Sequence, residues 1–129
     1  MASTESITIL LVDDDPAYCE FLSMVLTGYG FRVLVAHSGE AALGLADQAD
    51  LALIDMIMPG LSGIETIPLV RERNPDLRVI ACSGCEDCLF RPDLDRLEVE
   101  RFVGKPFPMS VLIQEIEAEM GTQLVASAV

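Results

Sequence analysis

Positive charge is scarce in this chain: eight Lys and Arg stand against 21 Asp and Glu in 129 residues, a formal net charge of −13. Phosphate backbones and anionic lipid surfaces are held by clustered Lys and Arg, so the composition argues against direct binding to nucleic acid or to a membrane. A protein or a metal ion is the expected partner. Apolar runs are short, far below the ~20 residues that span a bilayer. The N-terminal MASTES has no basic segment followed by an apolar core, and a cytoplasmic location is expected. The chain has one histidine, His37, with no second ligand at a metal-binding spacing, so it reads as a surface or lightly buried side chain. Cys82, Cys85 and Cys88 repeat at a spacing that superficially suggests a metal or iron–sulfur site, yet no fourth ligand is placed to close a cluster. With Cys19 they are expected to be free, reduced thiols. No repeat, linker or low-complexity tract is visible.

What is present is apolar: 51% of the residues, with a mean hydropathy of +0.43, in a chain of one domain's length. Strand and helix signals alternate about every ten residues. Stretches 7–12, 31–36, 51–54, 77–82 and 99–103 read as strands. Asp15-Pro16 opens a first helix, the aspartate as cap and the proline at the first helical position, with Phe21, Leu22, Val25 and Leu26 at helical spacing and Gly28 and Gly30 ending it. Ser38 caps a short Ala-rich helix over residues 39–47. Ser62 and Glu65 make a capping box for a helix ending at Arg73, with a kink expected at Pro68. Residues 84–98 carry Pro92 and no apolar stripe, which leaves only a short helix over 93–97. Pro108 opens a last helix through Met120, with Leu112, Ile113, Ile116 and Met120 on its inner side and Glu115, Glu117 and Glu119 on a solvated face. The pattern predicts an α/β fold: a doubly wound, five-stranded parallel sheet with helices on both faces and a short or irregular fourth helix.

The strand ends carry the candidate chemistry. In LALIDMIMPGLSG a buried-type strand ends on Asp55, and the 7–12 strand is followed by Asp13, Asp14 and Asp15. Ligands gather beyond the carboxyl ends of parallel strands, so Asp13, Asp14 and Asp55 are expected to converge at one rim. Like charges in a partly dry site need a proton or a cation, and magnesium suits carboxylates next to a phosphoryl group. The same crowding implies that Asp14→Ala or Asp13→Ala raises stability in metal-free buffer. Lys105 follows the fifth strand and Ser83 the fourth, adding an ammonium and a hydroxyl. Carboxylate, metal, ammonium and hydroxyl together describe an aspartyl-phosphate site. Asp15 reads as a helix cap rather than a metal ligand.

LLVDDD, LIDMIMPGLSG, VIACSG and FVGKPF occur in this order, each at the end of a predicted strand. They resemble the receiver domain of two-component response regulators, chemotaxis-regulator-like, over residues 7–120. The resemblance implies a flavodoxin-like receiver fold, one domain over 1–129 with a flexible tail at 121–129. It implies that Asp55 accepts a phosphoryl group from a histidine kinase or histidine phosphotransfer protein. Asp13 and Asp14 match the acidic pair, with Asp14, Asp55 and the backbone carbonyl of Ile57 touching magnesium. Ser83 matches the switch hydroxyl, Lys105 the lysine before a cis-proline at Pro106, and Phe102 the switch aromatic. Such a domain is a phospho-acceptor that catalyses only its own phosphorylation and dephosphorylation, and it is not otherwise an enzyme. Ser62 replaces an aspartate often found there, and the weak 84–98 segment departs from the firm helix usual in the family. With no output segment after residue 120, the expectation is either a regulator acting by protein contact or the receiver part of a longer protein, its downstream partner unknown.

The competing reading is a magnesium-dependent phosphatase of the haloacid-dehalogenase-like kind, with Asp13 as nucleophile and Asp15 as the second aspartate. Ala17 stands where that family has a small hydroxyl residue, no late acidic pair follows Lys105, and the chain has no room for a cap domain.

Overall fold

The computed structural model of the chain describes residues 7–84 and 90–121. Five strands, β1 (Thr8–Val12), β2 (Arg32–Ala36), β3 (Leu51–Asp55), β4 (Arg78–Ser83) and β5 (Arg101–Gly104), form one parallel sheet in the order β2-β1-β3-β4-β5. The helices are α1 (Pro16–Gly28), α2 (Gly39–Leu43), α3 (Gly63–Arg73), α4 (Arg91–Arg96) and α5 (Met109–Met120). Every residue of β1 and β3 is buried, which is why both read as unbroken apolar runs. Alternate residues supply two cores. Leu10, Val12, Ala52, Ile54, Val79 and Ala81 meet Ala42, Ile67, Val70 and Leu94 of α2, α3 and α4. Ile9, Leu11, Leu51, Leu53, Ile80 and Cys82 meet Leu22, Leu26, Leu112, Ile113 and Ile116 of α1 and α5. Each fully buried Leu or Ile contributes about 1.5–3 kcal/mol.

Side-chain caps start α1, α2 and α3 as the sequence predicts. Asp15 accepts from the N–H groups of Ala17 and Tyr18 at 3.1 and 3.2 Å, and Ser62 and Glu65 exchange reciprocal bonds of 2.9 and 3.2 Å. The αL glycine Gly121 (φ 69) closes α5. The α3 helix continues as one element through Pro68.

Several expectations change through contacts between distant residues. The Ala-rich helix stops at Leu43 and a 3-10 turn, Ala46–Gln48, follows. Asn74 Nδ2, at the end of α3, donates to the carbonyls of Ala46 and Ala49, both at 2.9 Å, and clamps this turn in place. The fourth helix begins earlier than expected because Pro92 falls in its first turn, where no amide is needed. It is short, six residues anchored by the fully buried Leu94. Val99 is buried outside the last strand, its N–H closing on the Leu94 carbonyl at 2.8 Å. Phe21 is 59% exposed and contributes nothing to the core. Glu115 and Glu119 are not a solvated face: both lie against Arg101, at 3.5 and 3.2 Å. Among the described residues, no helix is long and apolar enough to cross a membrane. Cys85, Cys88 and residues 122–129 lie outside the described residues.

Candidate functional site

Three strand ends and two turns build one acidic rim. β1 and β3 lie side by side at the sheet's centre, while their connections leave toward opposite faces, so a crevice opens beyond their carboxyl ends. Asp13 follows β1, Asp55 ends β3, and carboxylate oxygens of Asp13, Asp14 and Asp55 all lie within 4.8 Å of one another. Asp13 and Asp55 are buried and Asp14 is exposed. The donor set is hard oxygen of net negative charge, which fits a divalent cation such as magnesium. Asp14 makes no ion pair among the described residues, so its carboxylate remains available to such an ion.

Lys105, the chain's single lysine, follows β5. Its ammonium donates to Asp13 Oδ2 and lies 3.5 Å from Asp55 Oδ2. Its backbone is tied to the site as well, Lys105 N donating to the Ser83 carbonyl at 2.7 Å, and the Lys105–Pro106 peptide is cis. Burial alone lowers the affinity of this amine for its proton, but the hydrogen bond and charge of Asp13, then the charge of Asp55, outweigh it, and its pKa is raised. Asp13 is held at both oxygens, since Oδ1 accepts from the Asp15 N–H at 3.0 Å. Its carbonyl faces the Cys19 thiol at 3.4 Å and His37 Nδ1 at 3.3 Å. His37 is thus exposed, as expected, yet touches the backbone of the site.

Asp55 Oδ1 accepts the Ile57 N–H at 3.1 Å. Ile57, 54% exposed, therefore steadies the carboxylate through its amide. Burial raises the Asp55 pKa above 3.8, and the Ile57 bond and Lys105 only partly oppose this. The folded protein consequently binds the Asp55 proton more tightly than the unfolded chain does, and ionisation costs stability as the pH rises from that value. In chelator, Asp55→Asn is expected to match the wild type at the acid end and to become more stable than it as the pH rises through and above the ordinary carboxylate range. A difference that stays flat over that range in denaturant titrations contradicts this.

Ser83 ends β4 and is fully buried. It follows Cys82, the register partner of Asp55. Burial pushes the Cys82 thiol up to about 12, with Lys105 lowering it and the Asp55 and Asp13 charges adding to the rise. It is a neutral wall of the site. Phe102 sits opposite Ala81 in the β4–β5 register, on the same face of the sheet as Ser83, and its ring stacks on Phe90 at 6.3 Å between centroids. Phe102 is therefore near the acids through the sheet, not beside them.

The sequence pattern does not single out Tyr18, whose ring lies 4.4 Å beneath the Lys105 ammonium. Tyr18 lines a small void with Asp13, Asp55 and Cys82. Burial, then the charges of Cys82, Asp13, Cys19 and Asp55, raise its pKa strongly, so the phenol stays neutral. Asp15 spends its carboxylate on the α1 cap and is not the second catalytic aspartate that the phosphatase reading needs.

Gly63 sets the loop that leaves Asp55. Its N–H donates to the Met56 carbonyl at 3.2 Å, and a Cβ there would lie 2.5 Å from Met56 Cε, 2.6 Å from the Asp55 carbonyl and 2.7 Å from Met56 Cα. Backbone cannot yield as a side-chain tip can. Gly63→Ala is expected to destabilise by about 2–3 kcal/mol in urea melts; wild-type stability would show that the loop is not fixed by this contact.

The family model described as the response regulator receiver domain matches residues 9–117. The chain belongs to that family. The receiver domain is 37% identical over 117 residues to the transcriptional regulatory protein CpxR of Escherichia coli, covering 85% of this chain and 47% of CpxR. It is 31% identical over 105 residues to a cyclic di-GMP phosphodiesterase of Thermotoga maritima, covering 81% of this chain and 28% of that protein. The receiver domain thus spans half or less of these relatives. Among solved structures, the response regulator TrrA of Thermotoga maritima, in complex with Mg(2+)-BeF, superposes with a TM-score of 0.76 at 30% identity, over 87% of this chain and 97% of that one. The flavodoxin-like receiver fold, its acidic rim and a place in two-component signalling follow.

Proposed function

We propose that this receiver domain takes a phosphoryl group onto Asp55 from a histidine kinase or histidine phosphotransfer protein. The observation that carries the reading is the cluster of Asp13, Asp14 and Asp55 with the Lys105 ammonium reaching two of its three carboxylates. An Asp55 carboxylate oxygen attacks phosphorus, the bond from phosphorus to the donor breaks, and the donor leaves with the electron pair. Lys105 then pairs with a phosphoryl oxygen. Asp13, Asp14 and Asp55 would hold magnesium, with the Ile57 carbonyl as the further ligand that the family resemblance suggests. When bound, that ion supplies positive charge against the developing negative charge. The domain catalyses only its own phosphorylation and dephosphorylation, in the cytoplasm. Ser83 and Phe102 carry the change to a downstream protein or output domain.

The test uses acetyl phosphate as a small donor. With magnesium, the intact mass is expected to gain one phosphoryl group that base removes, with no gain in chelator or for Asp55→Asn. Equal labelling of the Asn variant contradicts the assignment.

A further inference from the structure

We infer that Tyr18 is a positioning residue for Lys105: its ring holds the ammonium at the station from which it serves the phosphoryl group on Asp55. This rests on the reading that Asp55 is the acceptor. An ammonium has three N–H donors. Here two directions are taken by Asp13 and Asp55, and the Tyr18 ring lies under the charge at 4.4 Å from its centroid. The lysine side chain is only 22% exposed, so the ring face stands where water would otherwise solvate the cation.

The ring is itself fixed. Tyr18 is the third residue of α1, its N–H accepted by the Asp15 cap at 3.2 Å, and its side chain packs against the α1–α5 core. Lysine is otherwise a flexible chain whose reach is set only by its partners. When a phosphoryl oxygen takes over from the Asp13 carboxylate as partner, that carboxylate no longer holds the ammonium, whereas the ring still does. Tyr18 thereby keeps Lys105 within reach of Asp55 through the exchange. The ring face and not the hydroxyl performs this, so phenylalanine should substitute.

Because Lys105 is the only lysine, lysine-selective isotope labelling gives its side chain as a single set of resonances. Its ε-methylene protons are expected to lie upfield of a free lysine through the ring current, in wild type and Tyr18→Phe, and to return to the free position in Tyr18→Leu. Phosphorylation by acetyl phosphate at saturating magnesium should slow about three- to tenfold in Tyr18→Leu and stay within about twofold of wild type in Tyr18→Phe. Equal rates in Leu and Phe variants, or a Phe variant as slow as the Leu variant, overturn the inference. Unshifted ε-protons in the wild type overturn it also, and that reading stands even if Tyr18→Leu does not fold. If the wild type accepts no phosphoryl group while the ε-protons are shifted, the acceptor reading fails and the contact between Tyr18 and Lys105 survives.

Discussion

Lys105→Ala is expected to destabilise the metal-free domain by about 2–4 kcal/mol, while Asp14→Asn leaves it unchanged or slightly more stable. The side chains of Asp13 and Asp55 are only 7% and 10% exposed, and the ammonium between them is the one cation within ion-pair distance of either among the described residues. Removing it strands two neighbouring carboxylates with little solvent to screen them. Asp14, exposed and outside any ion pair among the described residues, adds only repulsion. The expectation that losing either Asp13 or Asp14 stabilises therefore divides: it is kept for Asp14 and withdrawn for Asp13, the anchor of Lys105. In the Lys105→Ala background the sign for Asp13 should reverse, Asp13→Asn recovering stability, and a double-mutant cycle in chelator measures this coupling. The raised Lys105 pKa lies above 10.5, so the stabilisation is present at neutral pH and is lost as the pH rises through that higher value. Wild-type stability for Lys105→Ala in chelator would contradict the buried-pair account.

Hydrogen exchange across residues 84–102 is expected to slow about tenfold or more when magnesium and beryllofluoride are bound, with α1 and α2 little changed. A phosphoryl group on Asp55, or its mimic, would bring charge and acceptor oxygens to the end of β3, where they are expected to draw the Ser83 hydroxyl and Lys105 as charge-assisted donors. Ser83 lies one residue beyond the register partner of Asp55 and shares its sheet face with Phe102. Movement of Ser83 would open space on that face. Phe102, now half-buried and stacked on Phe90, can fill it, and the added burial is worth about 1–3 kcal/mol, one to two decades in a two-state equilibrium. The α4 helix is expected to respond because it is six residues long and Leu94 is its only fully buried side chain. Ser83→Ala should blunt the slowing and leave phosphorylation largely intact. Slowing centred on α3 instead would assign the route to other residues.

Features written in neighbouring residues were legible in the sequence. The Asp15 cap and the Ser62–Glu65 box depend on groups two or three positions apart, and β1 and β3 announce themselves because both faces are buried. The site was legible for a related reason: parallel strands deliver their carboxyl ends to one edge, so Asp13, Asp55 and Lys105 meet although Lys105 is 92 residues from Asp13. What stayed hidden depends on pairs whose partners no local pattern names. Asn74 captures carbonyls 28 and 25 residues away and so pins the 3-10 turn that follows the second helix. Arg101 draws Glu115 and Glu119 from an apparently solvated face. Tyr18 looks like one more aromatic of an amphipathic helix until Lys105 arrives above it. Phe21 has the spacing of a core residue but faces outward, since the narrow inner stripe of α1 is filled by Cys19, Leu22 and Leu26.

The central claim is that the acceptor is Asp55 and no other carboxylate of the cluster. An acyl phosphate on aspartate is reduced by borohydride to homoserine, which marks its position permanently for peptide sequencing by mass spectrometry. After treatment with acetyl phosphate and magnesium, followed by borohydride, homoserine is predicted at residue 55 alone; homoserine at residue 13, or at no position in protein that has gained the phosphoryl mass, would contradict the account.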